Sequence, residues 1–287
     1  MSVLSTVYER AGEAHRKFEC CDTEFVVRAT GVRATAGADT ARQTVRRLEG
    51  VLNAFDERSA VSRLNRTGTV ENEHVARVVR RGLEYHERTN GVFDIYQGRV
   101  EHHLKAFLGG DRQSLPKTFD TGDVSVDGEL VSTDHSLDLN GLAKGYIVDQ
   151  AAAALSGVGR RGFVSGGGDM SPPPGPIAVE SPYGDETPLK VLETDWFVAT
   201  SGGYRRTTDG VDHIYDPTSD QIGSRHESVT VVAERDCMEA DALATTLAAQ
   251  PLGDALSLAE SWPNAEAFVV HGGVFHTTDG FDTHVVD

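Results

Sequence analysis

One short segment, residues 137–149, constrains the fold of this chain more than any other. Apolar Leu137 and Leu139 alternate with polar residues, Asn140-Gly141 supplies a turn, and an alanine-rich helical pattern runs from about residue 143 to residue 155. A strand that turns into a helix points backbone N–H groups at whatever lies above the turn, which is a common way to bind phosphate. A plain structural junction produces the same pattern, because the motif is short.

The rest of the sequence predicts an α+β fold with mostly antiparallel sheet. Helices are predicted at residues 38–55, 73–88 and 237–250, and a loop at residues 62–65. Strands are predicted near residues 23–30, 124–126, 130–132, 137–139, 162–165, 177–181, 189–192, 196–201, 213–215, 228–233, 267–271 and 274–277. Residues 92–122 have no clear periodicity. We expect a polar helix or loose arm at residues 1–20 and a single domain over residues 21–287.

The charge of the chain excludes two classes of partner. The formal net charge is −17, from 44 acidic and 27 basic residues. Binding to nucleic acid or to an anionic membrane surface needs clustered positive charge, so neither is expected. Only five of the basic residues are lysines. An acidic, lysine-poor composition is typical of proteins that stay soluble in high salt, although an ordinary acidic bias gives the same numbers.

The cysteines and the apolar runs also limit the interpretation. Cys20, Cys21 and Cys237 have no spacing typical of a zinc site or a disulfide framework, so we expect small, half-buried thiols. No run has the length of a membrane-spanning helix, and the first 18 residues lack the apolar core of a secretory signal. The sequence therefore predicts a cytoplasmic protein with no membrane insertion.

The helix predicted at residues 237–250 carries a pair of oxygen donors. Asp241 and Thr245 are four residues apart, so they lie on one helical face and can share an ion. A carboxylate and a hydroxyl are hard oxygen ligands that suit Mg²⁺ better than zinc or copper. The alternative is that Asp241 only stabilises the positive end of the helix dipole.

Two glycine-rich turns and one histidine complete the candidate site. Residues 166–169 and 201–203 each place glycines directly after a predicted strand, which lets the backbone approach a ligand but also suits a tight hairpin. His213, in the segment His-Ile-Tyr-Asp-Pro, is a candidate general base. A purely structural role for His213 is the alternative.

Taken together and in this order, the motifs resemble the ApbE family of FAD:protein FMN transferases. The resemblance covers most of the chain from about Thr23 onwards. It includes residues 62–65, 93–94, 138–146, 167–169, 198–202, 213–217, 228–231 and 240–245. Each piece is short, but the eight pieces in the order of the family are specific as a set. The resemblance implies an ApbE/T-fold-like domain of mostly antiparallel sheet with flanking helices.

The resemblance also implies an activity and a set of site residues. A family member binds FAD with Mg²⁺ and transfers FMN to a Ser or Thr hydroxyl of a flavin-acceptor protein, releasing AMP. The implied metal ligands are the Ala143 carbonyl and the side chains of Asp241 and Thr245, and His213 corresponds to the candidate base. The implied flavin-binding residues are Thr23, Phe55, Val92, Phe93, Asp94, Asn140, Lys144, Tyr146, Gly167, Gly168 and Ser201.

The chain departs from the family pattern in two places. Phe93-Asp94 is followed by Ile-Tyr-Gln-Gly-Arg-Val, where the family usually has Pro-(Thr/Tyr)-Val-Gly-Pro-Leu and then a Trp-containing stretch. Cys21-Asp22-Thr23 stands where the family usually has Met-Gly-Thr. Two alternatives to FMN transfer stay open. One is hydrolysis of FAD to FMN and AMP, with water in place of the acceptor hydroxyl; the other, which the altered stretch after Asp94 suggests, is a flavin-binding protein without catalysis.

Overall fold

The computed structural model describes residues 12–157, 161–184, 187–203 and 211–286. Its helices are α1 (Ala34–Leu52), α2 (Ala60–Thr67), α3 (Glu73–Arg88), α4 (Gly98–Leu108), α5 (Asn140–Gly157), α6 (Cys237–Ala249) and α7 (Leu252–Ser261), with a 3-10 turn at Phe281–His284. Its strands are β1 (Gly12–Cys20), β2 (Thr23–Gly31), β3 (Thr69–Glu71), β4 (Val124–Asp127), β5 (Leu130–Thr133), β6 (Arg161–Gly166), β7 (Asp169–Met170), β8 (Ile177–Val179), β9 (Lys190–Leu192), β10 (Phe197–Ser201), β11 (Tyr215–Asp216), β12 (Gln221–Ile222), β13 (Ser228–Ala233), β14 (Ala265–His271) and β15 (Val274–Thr277).

An eight-stranded sheet forms the centre of the molecule, in the order β1-β2-β6-β7-β10-β13-β14-β15. Every neighbouring pair in it is antiparallel. Three smaller sheets are separate from it: the three-stranded sheet β3-β5-β4 and the hairpins β8-β9 and β11-β12. The structure therefore confirms the predicted α+β class with mostly antiparallel sheet.

Helices α1, α5 and α6 cover one face of the large sheet. Helix α6 is buried along nearly its whole length, and small residues such as Ala240, Ala244 and Ala248 let it pack tightly. It contacts α5 on one side and strands β10 and β13 on another. Burial on several sides removes the polar stripe of a surface helix, which explains the continuous apolar composition of this segment. The position of α6 between helix and sheet fixes its polar side chains, including Asp241.

The opposite face of the sheet has a smaller core. Val198, Val232, Phe268 and Val270 point to that face, where the β8-β9 hairpin and the 3-10 turn around Phe281 cover them. Strand β13 is buried at all six residues because both of its faces are covered. Strand β13 therefore lies in the interior of the protein, where it pairs with β10 along five residues.

Residues 12–20 differ from the predicted polar helix or loose arm. They form strand β1, which pairs with β2 from Gly12 opposite Gly31 to Cys20 opposite Thr23. The sheet thus begins before the domain boundary that the sequence predicts at residue 21. Residues 1–11 of the predicted arm lie outside the described residues. Strand β1 is at the edge of the sheet and buries few apolar side chains, so its sequence lacks the alternation of an inner strand.

Four further segments also differ from the prediction. The predicted loop at residues 62–65 lies inside α2, whose N-cap Ser59 accepts a hydrogen bond from the Ser62 amide. The unassigned stretch 92–122 contains α4, and α7 follows α6 directly. The predicted strand at residues 137–139 is an extended connection outside any sheet. Among the described residues, no helix is both long enough and apolar enough to cross a membrane.

Candidate functional site

A cavity of about 890 Å³ opens above the start of α5. Its wall contains parts of α1, α4, α5, α6, β2, β7 and β10, which are far apart in the sequence. All but one of the predicted site residues line it: Thr23, Phe55, Val92, Phe93, Asp94, Asn140, Ala143, Lys144, Gly167, Gly168, Ser201, His213, Asp241 and Thr245. The structure thus brings the predicted residues into one place.

Helix α5 enters the cavity at Asn140. The Asp138 carboxylate accepts a hydrogen bond of 2.9 Å from the Asn140 amide, which satisfies a free N–H group at the helix start. The same carboxylate accepts a hydrogen bond of 2.6 Å from the Tyr215 hydroxyl. Asp138 therefore ties the start of α5 to the segment that carries His213.

Helices α5 and α6 meet closely at Gly145. A Cβ atom at this position would lie 2.5 Å from the Cys237 carbonyl oxygen, so a larger residue would push the helices apart. The close approach lets the Gly145 amide donate a hydrogen bond of 2.9 Å to Asp241 Oδ2. Gly145 thus positions one of the two predicted side-chain metal ligands.

Lys144 lies between two buried carboxylates. Its Nζ atom is 2.6 Å from Asp169 Oδ2 and 3.5 Å from Asp241 Oδ1. Burial acts to lower the pKa of Lys144, but the two carboxylates outweigh it and the pKa is raised. Burial and the nearby charge of Asp241 raise the pKa of Asp169 well above its ordinary value. Burial likewise raises the pKa of Asp241, against the opposing charge of Lys144.

This charge arrangement fits a hard divalent cation. Asp169 is 1% exposed, and neither of its carboxylate oxygens has a hydrogen-bond partner of regular geometry. Ionising both carboxylates against one ammonium would leave one negative charge without compensation, which is costly inside a protein and which a bound cation would offset. Thr245 adds a hydroxyl beside them, with its Oγ1 atom 3.5 Å from Ser201 Oγ. Carboxylate, hydroxyl and carbonyl oxygens are the ligands that Mg²⁺ prefers.

His213 is exposed on the cavity wall, and its neighbours on both sides are held in place. Asp212 is buried and accepts hydrogen bonds from the Ile214 amide, at 2.8 Å, and from the amide and hydroxyl of Ser224. Tyr215 is held by Asp138. An exposed imidazole on a fixed backbone is suited to accept a proton from a bound substrate.

An aromatic wall forms another part of the cavity. The Phe55 and His102 rings are tilted by 45° with their centroids 4.5 Å apart, and Lys105 Nζ lies 3.8 Å from the Phe55 centroid. Lys105 also pairs with Asp22 at 3.0 Å. A planar ligand ring could stack against such a wall.

The predicted Phe93-Asp94 turn lines the cavity mainly through structural contacts. Phe93 is 6% exposed and packs edge-to-face against Tyr85. The Asp94 carboxylate accepts hydrogen bonds from the Tyr96 amide at 2.7 Å and from Gln97 Nε2 at 2.8 Å. These bonds organise the turn before α4, where the sequence departs from the family pattern.

Tyr146 is the predicted site residue that the structure places elsewhere. It is 2% exposed, and its hydroxyl lies 2.7 Å from His74 Nδ1. Arg47 Nη1 lies 2.8 Å from His74 Nε2, so Nε2 accepts from arginine and Nδ1–H donates to Tyr146. Burial and then Arg47 lower the pKa of His74, consistent with a neutral ring. Tyr146 links α5 to α3 and is not part of the cavity wall.

The structure adds site residues that the sequence analysis did not select. Asp169 ends the glycine-rich turn at residues 166–169, and the strand-glycine-aspartate order is a signal that could have found it. Glu101 lines the cavity from α4 and accepts a hydrogen bond of 3.2 Å from Asn140 Nδ2. Burial and then Asp138 raise the pKa of Glu101 to about 8. In so acidic a chain, no sequence signal distinguishes Glu101.

The fold and this cavity define an α+β protein with a ligand-sized pocket that carboxylate and hydroxyl oxygens line at one end. The ApbE family model matches residues 21–269, and the chain belongs to the ApbE family. A curated relative, the FAD:protein FMN transferase of Vibrio cholerae serotype O1 (strain ATCC 39541 / Classical Ogawa 395 / O395), is 34% identical over 176 residues. That match covers 55% of this chain and 51% of the relative, so it spans about half the length of the curated protein.

Solved structures of the family share the whole fold. The ApbE protein of Thermotoga maritima MSB8 superposes with a TM-score of 0.85 at 24% identity, over 96% of this chain and 100% of that chain. The apo flavinyl transferase ApbE of Pseudomonas stutzeri gives 0.80 at 24% identity, over 96% and 99%. The flavin transferase ApbE of Vibrio cholerae gives 0.76 at 21% identity, over 96% and 99%.

Proposed function

We propose that this protein transfers FMN from FAD to a Ser or Thr hydroxyl of an acceptor protein and releases AMP, with Mg²⁺ as the metal. The observation that carries the proposal is the cavity end where Asp169, Asp241 and Thr245 face Lys144, with His213 on the same cavity wall. Membership of the ApbE family and the name of the Vibrio cholerae relative support it.

The metal site has identifiable ligands. Asp241 and Thr245 would bind Mg²⁺ through side-chain oxygens, and Ala143 through its carbonyl oxygen. Mg²⁺ would neutralise the pyrophosphate charge and stabilise the leaving AMP phosphate. Gly145 fixes the Asp241 carboxylate through its amide, so the ligand is oriented before any cation binds. Asp169 adds negative charge next to this site.

The remaining chemistry belongs to the side chains around the phosphates. An unprotonated imidazole nitrogen of His213 accepts the proton of the acceptor hydroxyl as that oxygen attacks the FMN phosphorus. The bond from this phosphorus to the bridging oxygen breaks, and AMP leaves with the electron pair. Lys144 contributes a positive charge near the site of bond cleavage. The Phe55 wall holds a planar ring of the substrate.

The products of an incubation with FAD and Mg²⁺ test the proposal. The acceptor is a pool of Ser- and Thr-containing peptides, and the control pool has alanine at those positions. We expect AMP together with FMN-modified peptide from the first pool only, measured by mass spectrometry. Free FMN with AMP in both pools would instead indicate hydrolysis, and intact bound FAD would indicate a binding protein.

A matched pair of variants tests the metal assignment. We expect Asp241→Ala to abolish Mg²⁺-dependent AMP release while the protein remains folded by circular dichroism. Asp254→Ala removes an exposed carboxylate from the first turn of α7 and should leave the rate unchanged. Full activity in Asp241→Ala would remove Asp241 from the metal site.

A further inference from the structure

The turn between β1 and β2 carries two adjacent residues in the left-handed region. Cys21 has a φ of 53° and Asp22 a φ of 54°, and the turn closes where Cys20 pairs with Thr23. A non-glycine residue in this region costs about 1 kcal/mol, so hairpins of this type usually contain glycine. The chain has cysteine and aspartate instead, at the position where it departs from the family pattern.

Glu49 of α1 reaches this turn and contacts both cysteine residues. The Cys20 thiol donates to Glu49 Oε2 at 2.8 Å, and the Cys21 amide donates to Glu49 Oε1 at 2.6 Å. The three potential ligand atoms, two sulfurs and one carboxylate oxygen, all lie within 4.8 Å of one another. Cys20 is buried, while Cys21 and Glu49 are half-buried and line the cavity.

We propose that Cys20, Cys21 and Glu49 form a binding site for a thiophilic divalent cation of the zinc class. Zinc binds cysteine sulfur and carboxylate oxygen with four ligands, and sites with three protein ligands keep the fourth position open. Because Cys21 and Glu49 belong to the cavity wall, water or a ligand in the cavity would supply the fourth. The ligands come from a tight turn and a helix, both already held by backbone hydrogen bonds.

The chemistry of this site differs from that of the proposed magnesium site. Thiolates select soft or borderline cations, whereas the carboxylate, hydroxyl and carbonyl group around Asp241 selects hard ones. The two sites are therefore distinguishable in one protein by the metal used as the probe. The zinc-class site also does not depend on the proposed FMN transfer, since none of its three ligands belongs to the proposed catalytic set.

The test is a competition titration of the full-length, reduced, metal-free protein with Zn²⁺. A chromophoric chelator competes for Zn²⁺, and excess Mg²⁺ occupies the hard-oxygen site. We expect one equivalent of tightly bound Zn²⁺, with affinity lowered at least about 100-fold in Cys20→Ser and in Cys21→Ser, and about 10-fold or more in Glu49→Gln. Co²⁺ in place of Zn²⁺ should give the near-ultraviolet absorption of a cobalt–thiolate bond.

Two control variants separate ligand loss from general damage. Cys237→Ala removes the remaining, fully buried thiol, and Glu24→Gln removes a carboxylate of the same hairpin that pairs with Lys17 at 2.7 Å. Both should bind Zn²⁺ like the wild type. Absence of the cobalt–thiolate absorption in the folded wild type would overturn the proposal even if a variant failed to fold. Unchanged Zn²⁺ affinity in folded Cys20→Ser or Cys21→Ser would also overturn it.

Discussion

Lys144 Nζ lies 2.6 Å from Asp169 Oδ2, in an ion pair formed between α5 and β7 at the end of the cavity. Within the described part of the chain, this ammonium is the one positive charge that contacts both Asp169 and Asp241. A divalent cation bound at Asp241 would compensate the same carboxylates. Lys144 and a bound cation would therefore offset the same negative charges. Removing one of them should increase the stabilisation that the other gives to the folded protein.

Lys144→Met should make the protein depend on Mg²⁺ for stability. Removing one partner of a buried ion pair costs about 3 kcal/mol, because the carboxylates remain without compensation. We expect a lower midpoint of thermal unfolding in EDTA and a larger rise on addition of Mg²⁺ than in the wild type. Lys190→Met, which removes a surface pair with Asp282 at 3.8 Å, should change the stability by less than about 1 kcal/mol. Equal stabilisation of Lys144→Met and wild type by Mg²⁺ would contradict this account.

Asp169→Asn should lower the affinity for Mg²⁺ without lowering the stability of the metal-free protein. Burial and then the nearby charge of Asp241 make the ionised form of Asp169 unfavourable and raise its pKa, so the neutral amide should leave the metal-free protein at least as stable as the wild type. Mg²⁺ affinity should fall about 10-fold or more, measured by calorimetry. Asp195→Asn, at an exposed position, serves as the control. A metal-free variant that is clearly less stable would show that the Lys144 pair outweighs the repulsion between the carboxylates.

His213→Ala should slow FMN transfer without weakening substrate binding. Loss of a general base lowers the rate by about 100- to 10,000-fold. FAD affinity, measured by flavin fluorescence, should stay within about twofold, since the proposed role of the imidazole is proton transfer. His276→Ala, on edge strand β15, provides the matched histidine control. A loss confined to FAD affinity, with an unchanged maximal rate, would assign His213 to binding instead.

Glu101→Gln should change how stability depends on pH. The pKa of Glu101 is raised from 4.5 to about 8, so between these values the folded protein holds a proton that the unfolded chain has lost. This difference makes the wild type less stable as the pH rises from 4.5 to about 8, and the loss levels off above that. Glutamine does not titrate, so the Glu101→Gln variant should lack this pH-dependent loss of stability.

Urea unfolding at several pH values measures this effect. Near pH 4.5, the free energy of unfolding of Glu101→Gln should match that of the wild type. Near pH 8, it should exceed the wild-type value by at least about 1 kcal/mol. Glu129→Gln, at an exposed position, should follow the wild-type profile. Parallel profiles for Glu101→Gln and wild type would mean that Glu101 ionises normally in the folded protein.

Gly145→Ala should destabilise the protein and weaken metal binding together. The added Cβ atom would lie 2.5 Å from the Cys237 carbonyl oxygen and 2.7 Å from Met238 Cα, so α5 and α6 must separate. We expect a loss of about 1–3 kcal/mol in urea unfolding and a lower Mg²⁺ affinity, because the Gly145 amide holds Asp241. Gly253→Ala, in α7 with no atom within 4 Å of the added Cβ, should stabilise by about 0.5–1 kcal/mol. If urea unfolding showed that Gly145→Ala is stabilised as well as Gly253→Ala, the two helices would not be tightly packed at Gly145.

The sequence predicted the parts of the site that follow from local spacing. Asp241 and Thr245 lie on one face of α6 because a helix brings residues four apart together, and both reach the cavity. Tyr146 was misplaced because the motif does not specify which helix face meets the ligand. It lies two residues, or about 200° around the helix, from Lys144, which does line the cavity.

Other parts depend on tertiary structure and have no local signal. Helix α4 was not predicted because its buried positions include Gly98 and Glu101, where an ordinary helix would bury apolar side chains. Strand β1 lacked apolar alternation because it lies at the sheet edge. The ion pair between Lys144 and Asp169 joins helix α5 to strand β7. These two segments meet only once the large sheet has formed.

The hydrogen bond from Gly145 to Asp241 joins residues 96 positions apart in the chain. During synthesis, a nascent chain that ends before α6 therefore contains only part of the oxygen-rich pocket. If the proposed magnesium site is correct, such an incomplete chain should bind the ion weakly, because it lacks Asp241 and Thr245. The ion would instead stabilise only chains in which α6 has entered between α5 and the sheet, and should protect those chains from proteolysis. Occupancy of the proposed site would thus report that biosynthesis has passed residue 245 and that the two helices have docked.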